Sequence, residues 1–169
     1  MIERRRVLIA CCNGRGWIHK TVVNAVIRML QDSRHIVRFI APTHKPFVQN
    51  LHLTVHDFLE QGHDFLLLVD DDNPPLENPL DLVDLDLDVV GLPTPIWHND
   101  TPGGRPYLTN VWKQRPNTVL EDGIHSLDST QGFEGKGLYE VDVVGTGCIL
   151  IARRVLLELM RRCEGDPMN

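Results

Sequence analysis

Three consecutive aspartates, Asp70-Asp71-Asp72, are the residues in this chain best suited to chemistry. Adjacent carboxylates repel one another, and nothing in the nearby sequence neutralises them. A divalent cation would, because hard cations prefer oxygen ligands. Alternate residues of an extended segment point to the same side. If extended geometry continues past Val69, Asp70 and Asp72 form a pair able to hold Mg²⁺ or Mn²⁺, which can then bridge the phosphates of a nucleotide. The competing reading is a solvated acidic turn, or a cap for the next element. The residues in front weigh against it. Phe65-Leu66-Leu67-Leu68-Val69 is continuously apolar, as expected of a strand covered on both faces. In open α/β sheets, ligands collect at the carboxyl ends of such strands.

The surrounding pattern supplies that sheet. Val7 to Ala10 reads as a first buried strand, followed by the polar loop Asn13-Gly14-Arg15-Gly16. Residues 18–32 form an amphipathic helix with Ile18, Val22, Val26, Met29 and Leu30 on one face. Ile36 to Ile40 reads as a second strand, and a second helix should run from about Pro46 to Gln61 and stop at Gly62. The strand at 65–69 follows, then a short element near 80–85 and another buried strand at 89–92. This alternation implies an α/β fold with a mainly parallel sheet.

After Pro93 the character changes: Pro, Gly, Asn and Thr become frequent up to Lys136. Strand-like pieces are expected near 107–112 and 118–120, and weak alternation at 138–144. Cys148 to Ile151 is apolar, and a helix begins near Arg153 with Leu156, Leu159, Met160 and Cys163 as its buried stripe. The whole of 1–169 reads as one domain with a small antiparallel part in its second half. A chain of 169 residues can bury a core of its own. No apolar run approaches the ~20 residues of a membrane span, and the short apolar stretch after Arg4-Arg5-Arg6 is no signal-peptide core. The expectation is a cytoplasmic protein. Its net charge of −6 argues against a large basic nucleic-acid surface, though a nucleic-acid acceptor stays open. The four cysteines have no CxxC spacing, so reduced and partly buried thiols are expected.

The stretch from Phe65 to Pro75 resembles the strand and DxD motif of GT-A-type glycosyltransferases, particularly the family-2-like ones. Two other stretches carry the same resemblance. Val48-Gln49-Asn50 is similar to the family's "ARN" segment, with Gln49 in place of its arginine. Glu140 to Ile151 is similar to its "VDxVGTGxxLI" stretch. The resemblance spans about residues 6 to 163. It implies a Rossmann-like GT-A (nucleotide-diphospho-sugar transferase) fold, Mn²⁺ or Mg²⁺, a UDP- or GDP-sugar donor, and transfer to an unidentified acceptor, leaning towards inversion. Asp70 and Asp72 would sit by the metal and diphosphate, with Asp71 facing the donor's ribose or sugar. Cys11 and Asn13 would border the base, and Asn50 would lie near the donor. Gly145, Thr146 and Gly147 would let backbone approach the sugar or acceptor closely. Trp97, with His98, could stack on a sugar ring or simply anchor its loop. The family's acidic general base, in an "ED" segment after the helix near Arg153, has no convincing match. Glu164 and Asp166 are the only late carboxylates. Asp142 and Asp122 are the remaining weak candidates, since a base must reach the acceptor hydroxyl. The chain therefore reads as a minimal form, a truncated form or a donor-binding fragment.

Other constellations are weaker. His52 and His56 are four apart on the second helix but have no third ligand. Cys11-Cys12 reads as buried rather than reactive. His125, Ser126 and Asp128 are too close in sequence for a triad, and there is no GxxxxGK[ST] phosphate loop. Two alternatives to a glycosyltransferase stand: a catalytically silent module that binds a nucleotide sugar or a partner protein, and a nucleotidyltransferase on a related fold. For the latter, Asn13-Gly14-Arg15-Gly16 is a faint phosphate loop.

Overall fold

The computed structural model describes residues 4–14, 16–43, 46–75, 77–96, 108–109, 111–119, 125–129 and 137–164. Residues 1–92 and 146–169 make one compact unit and residues 93–145 a second.

The first unit is built on strands β1 (Arg6–Ala10), β2 (Ile36–Ile40), β3 (Phe65–Val69) and β4 (Val89–Gly91). Helices α1 (Lys20–Leu30) and α2 (Phe47–Glu60) connect the first three, and a 3-10 helix (Pro79–Leu85) precedes β4. Late in the chain, a strand at Cys148–Ala152 returns to the same sheet and runs directly into a helix at Arg153–Glu164. Five strands make this sheet, in the order β2, β1, β3, the 148–152 strand, β4. β1 is parallel to both β2 and β3. The 148–152 strand is antiparallel to both of its neighbours, placing Cys148 opposite Val69 and Ala152 opposite Phe65. The unit is thus α/β with a mixed sheet, parallel across β2, β1 and β3 and antiparallel on both sides of the 148–152 strand, rather than the mainly parallel sheet expected.

Burial follows the apolar pattern in β1 and β3 but not at the sheet edges: β2 has no buried residue, and the expected buried strand at 89–92 buries only Val90. All five residues of β3 are buried, as its unbroken hydrophobicity requires. Val7, Ile9, Phe65, Leu67, Val69, Cys148 and Leu150 join one core with Val22, Val26 and Met29 of α1 and Leu80 and Val83 of the 3-10 helix. The helix boundaries have local causes. His19 caps α1, its Nδ1 accepting the Thr21 N–H, an N-cap that residue-type preferences do not suggest. α2 ends in a Schellman arrangement: Gly62 N–H donates to Leu59 O (3.3 Å) and His63 N–H to Phe58 O (3.4 Å). Gly62 takes a left-handed φ of 68° there, which a side chain would resist.

Two expected stripes are narrower than their sequences suggest. Leu30 is exposed, and Ala25 takes the buried position instead. In the last helix only Leu156 of the expected stripe is buried, while Leu159, Met160 and Cys163 are exposed. The cause is the short contact of that helix with the sheet, made through Val155 and Leu156 in its first turn.

The second unit holds β5 (Pro95–Ile96), β6 (Leu108–Thr109), β7 (Val111–Val119), β8 (His125–Ser129) and β9 (Val143–Val144). With these labels, the 148–152 strand is β10 and the helix after it α3. β5 pairs with β6, and β7 pairs with both β8 and β9, all antiparallel. Among the described residues, the expected piece at 107–112 is divided between β6 and the start of β7, and the piece at 118–120 falls at the end of β7. The pairing of β7 with β8 is irregular between Gln114 and Val119, the stretch that contains Pro116, which cannot donate to a ladder. The alternation at 138–144 yields only Val143–Val144. Among the described residues, no helix is long and apolar enough to cross a membrane.

Candidate functional site

The carboxyl ends of β1 and β3 lie side by side, since Ala10 pairs with Leu68. The segments that leave these two strands are therefore neighbours: Cys11-Cys12-Asn13 after β1 and Asp70-Asp71-Asp72 after β3. β10 begins at the same end, and the Asp70 N–H donates to Gly147 O at 3.1 Å. One backbone hydrogen bond thus joins the acidic turn to the glycine stretch, residues far apart in sequence. Asp70 and Asp71 are partly buried and Asp72 is exposed.

The electrostatics of this end are unbalanced. Burial pushes the Asp70 carboxyl above its ordinary value, and the charges of Asp72 and then Asp71 push it further. The neighbouring thiols feel the same environment. Burial raises Cys11 to about 12, with Asp71, Cys12, Asp70 and Asp72 adding to it. Burial likewise raises Cys148 to about 12, against a hydrogen bond with the Leu92 backbone and with help from Asp70. These thiols stay protonated at neutral pH and are poor nucleophiles, as expected for Cys11-Cys12. All four cysteines are free.

The loop after β1 is tied down at several points. Cys11 N–H donates to Ile40 O (3.0 Å) and Asn13 N–H to Pro42 O (3.1 Å), carrying the parallel pairing with β2 past the strand ends. Asn13 is buried, and its Oδ1 accepts the Gly16 N–H at 2.8 Å, a side-chain turn typical of asparagine. Asn50, fully buried in the first turns of α2, donates Nδ2–H to Asn13 O at 3.3 Å. One turn further along α2, Thr54 Oγ1 lies 3.4 Å from Cys12 Sγ. At the far end of the loop, His19 N–H donates to Asp71 O at 2.7 Å.

The first unit therefore gathers Cys11, Asn13, Asn50, Asp70, Asp71, Asp72 and Gly147 at one end of its sheet, with exposed Thr146 beside Gly147. Gly145 and Asp142 belong to the second unit, where the exposed Asp142 donates its N–H to Trp112 O at 3.2 Å. Trp97, His98, Asp122 and Asp166 lie outside the described residues, as does the side chain of Glu164. His52 and His56 are exposed, and His56 Nδ1 lies 3.4 Å from Glu60 Oε2 across one helical turn. His125, Ser126 and Asp128 fall on β8. Thr54 and His19 escape sequence reasoning. The only signal for Thr54 is its four-residue spacing from Asn50, which puts both on one helix face.

Among the described residues, no three His, Cys, Asp or Glu side chains converge as a ready-made metal cage. The strand does not continue past Val69: the backbone bends at Asp71 and Asp72, so strand alternation does not pair Asp70 with Asp72, although their carboxylates are the oxygen ligands a hard cation takes. Mg²⁺-type sites commonly use one or two carboxylates plus substrate phosphates, and a cation would offset the charge that raises Asp70.

No family model matches the chain. No curated protein matches it either. Among solved structures it is similar to A197 from STIV, known from a crystal structure, at 16% identity. The match covers 90% of this chain and 68% of that one, with a TM-score of 0.59. At that identity the likeness is one of fold.

Proposed function

We propose that the chain is a metal-dependent glycosyltransferase of GT-A type, moving a sugar from a nucleotide-diphosphate donor to an acceptor. The observation that carries the reading is the hydrogen bond from Asp70 N–H to Gly147 O. It puts the two stretches that resemble the family side by side at the carboxyl end of a buried strand, where α/β sheets take their ligands. The uncompensated charge at Asp70 adds to it.

In this reading Asp70 and Asp72 hold Mn²⁺ or Mg²⁺, which when bound neutralises the diphosphate of the departing nucleotide. Asp71 faces the donor's ribose or sugar, and the loop after β1 borders the base, with Cys11 and Asn13 buried beneath it rather than in contact with it. Gly147, buried beside Asp70, presents backbone where a side chain would occupy donor space. The acceptor's proton has no assigned base: Asp142 is the described candidate and Asp122 the other. The free thiols fit the cytoplasm as the compartment.

A thermal-shift or calorimetric screen of UDP-, GDP-, CDP- and dTDP-sugars, each with and without Mn²⁺, tests this. Stabilisation by one donor only when metal is present is expected. Absence of any response sinks the proposal, as does unchanged affinity in the Asp70→Asn, Asp72→Asn double variant. Binding without transfer or donor hydrolysis would leave a silent binding module, and pyrophosphate release from a nucleoside triphosphate and a sugar phosphate would mark a nucleotidyltransferase.

A further inference from the structure

Asn50 is an expensive residue where it stands. It is fully buried, and its Oδ1 has no hydrogen-bond partner among the described residues. A buried acceptor left unmet costs stability, whereas an apolar side chain of similar size would incur no such loss. Stability alone does not account for asparagine here, so its donor must matter. That donor goes to one place, the backbone carbonyl of Asn13. Because a carbonyl only accepts, it also fixes the orientation of the Asn50 amide.

Asn13 in turn holds Gly16 through its side chain and Pro42 through its backbone N–H, and the loop's other end meets Asp71 through His19. Thr54, also buried, reaches Cys12 from the same face of α2. Hydrogen bonds therefore fix this loop at two points, to α2 at Asn13 and to the acidic turn at His19, and the covalent chain from Gly16 to His19 joins the two.

We propose that Asn50 and Thr54 form a two-point latch by which α2 holds the loop after β1 in register with the aspartate turn, making Asn50 a positioning residue for the nucleotide rather than a contact to it. This rests on the glycosyltransferase reading for the identity of the ligand, but the latch itself is a property of the free protein. Binding that orders the loop would meet a loop already ordered, and its entropic cost would be lower.

The test compares wild type with Asn50→Asp, nearly the same shape but with an acceptor facing the Asn13 carbonyl, and with Thr54→Val. Backbone amide exchange is followed in the free protein. Binding of UDP and of GDP with Mn²⁺, and of Mn²⁺ alone, is measured in parallel. In Asn50→Asp the Gly16 and His19 amides should exchange at least ~10-fold faster while β1 and β3 keep their protection. Affinity for the nucleotide that wild type binds should fall at least ~10-fold, with Mn²⁺ affinity unchanged. Thr54→Val should show the same loop-restricted pattern at smaller size, and decides the matter if Asn50→Asp does not fold. Unchanged exchange at Gly16 and His19, or protection lost evenly across the unit, overturns the latch. If wild type binds neither nucleotide, the glycosyltransferase reading and the ligand role of Asn50 fail together, while the exchange pattern still confirms or refutes the latch.

Discussion

The two ends of β3 are built on opposite electrostatic plans. At its amino end, most charges and dipoles are matched, the buried His63 ring excepted, whose nitrogens have no partner among the described residues. The Arg153 guanidinium donates to three carbonyls around the end of α2: Leu59 (2.9 Å), His63 (3.3 Å) and Phe58 (3.5 Å). It also sits 5.9 Å from the Phe58 ring centroid. A cation at a helix C-terminus complements the helix dipole. Asp64 Oδ2 accepts the Arg6 N–H at 2.7 Å, and Arg38 pairs with Asp57 at 3.3 Å. At the carboxyl end of the same strand, three aspartates stand in succession and every influence on Asp70 raises its pKa. One end is locked and the other is held in tension. Perturbed titratable groups cluster at functional sites, which makes the carboxyl end the one to test for binding under the proposed reading.

Substitutions at the two ends should separate stability from binding. The largest effect is expected from Phe58→Ala. Phe58 is fully buried and stacks on His63 at 6.1 Å between centroids. Its loss should cost about 3–5 kcal/mol in urea denaturation. Next comes the Asp70→Asn, Asp72→Asn pair, which should weaken metal-dependent donor binding at least ~100-fold, about 2.7 kcal/mol, with no loss of melting temperature. A drop in melting temperature would mean the aspartates are structural and the contrast is misread. Arg153→Met should cost about 2 kcal/mol through the lost carbonyl bonds, leaving donor affinity per folded molecule intact. Reduced affinity in that variant would show that the two ends are coupled.

The smallest effect is a pH dependence. Burial, then Arg6 and Arg38, hold the His63 pKa below its ordinary value, against Asp57 and Asp64. The unfolded chain takes up a proton near pH ~6.5, the folded chain only at lower pH. Stability should therefore fall as pH drops below ~6.5, at no more than about 1.4 kcal/mol per pH unit, and level off below the folded pKa. His63→Gln should flatten that slope in denaturation curves taken from pH 7.5 to 5. An unchanged slope would assign it elsewhere.

Much of the first unit was legible because its pattern is local. β2 and β3 fall where their apolar runs are, and α2 ends at Gly62 because a left-handed turn suits glycine there. The acidic turn stood out for the same reason, a polar run directly after an unbroken apolar strand. The last helix was misread because its stripe of Leu159, Met160 and Cys163 is a sequence period with no partner surface to cover it among the described residues. Periodicity reports what a face could bury, not what meets it. β7 was read as two pieces because Pro116 breaks the propensity pattern that the ladder tolerates as an irregularity.

The order of charges and apolar runs along the chain determined that an α/β sheet with a parallel start forms and that carboxylates follow its central strand. Only the tertiary structure decided which other residues join them. Gly147 reaches Asp70 because β10 enters the sheet antiparallel beside β3, and Asn50 reaches Asn13 because the first turns of α2 lie against the loop after β1. Both depend on contacts between segments distant in sequence. Such contacts arise from packing and strand order rather than from local preference, so no local pattern along the chain records them.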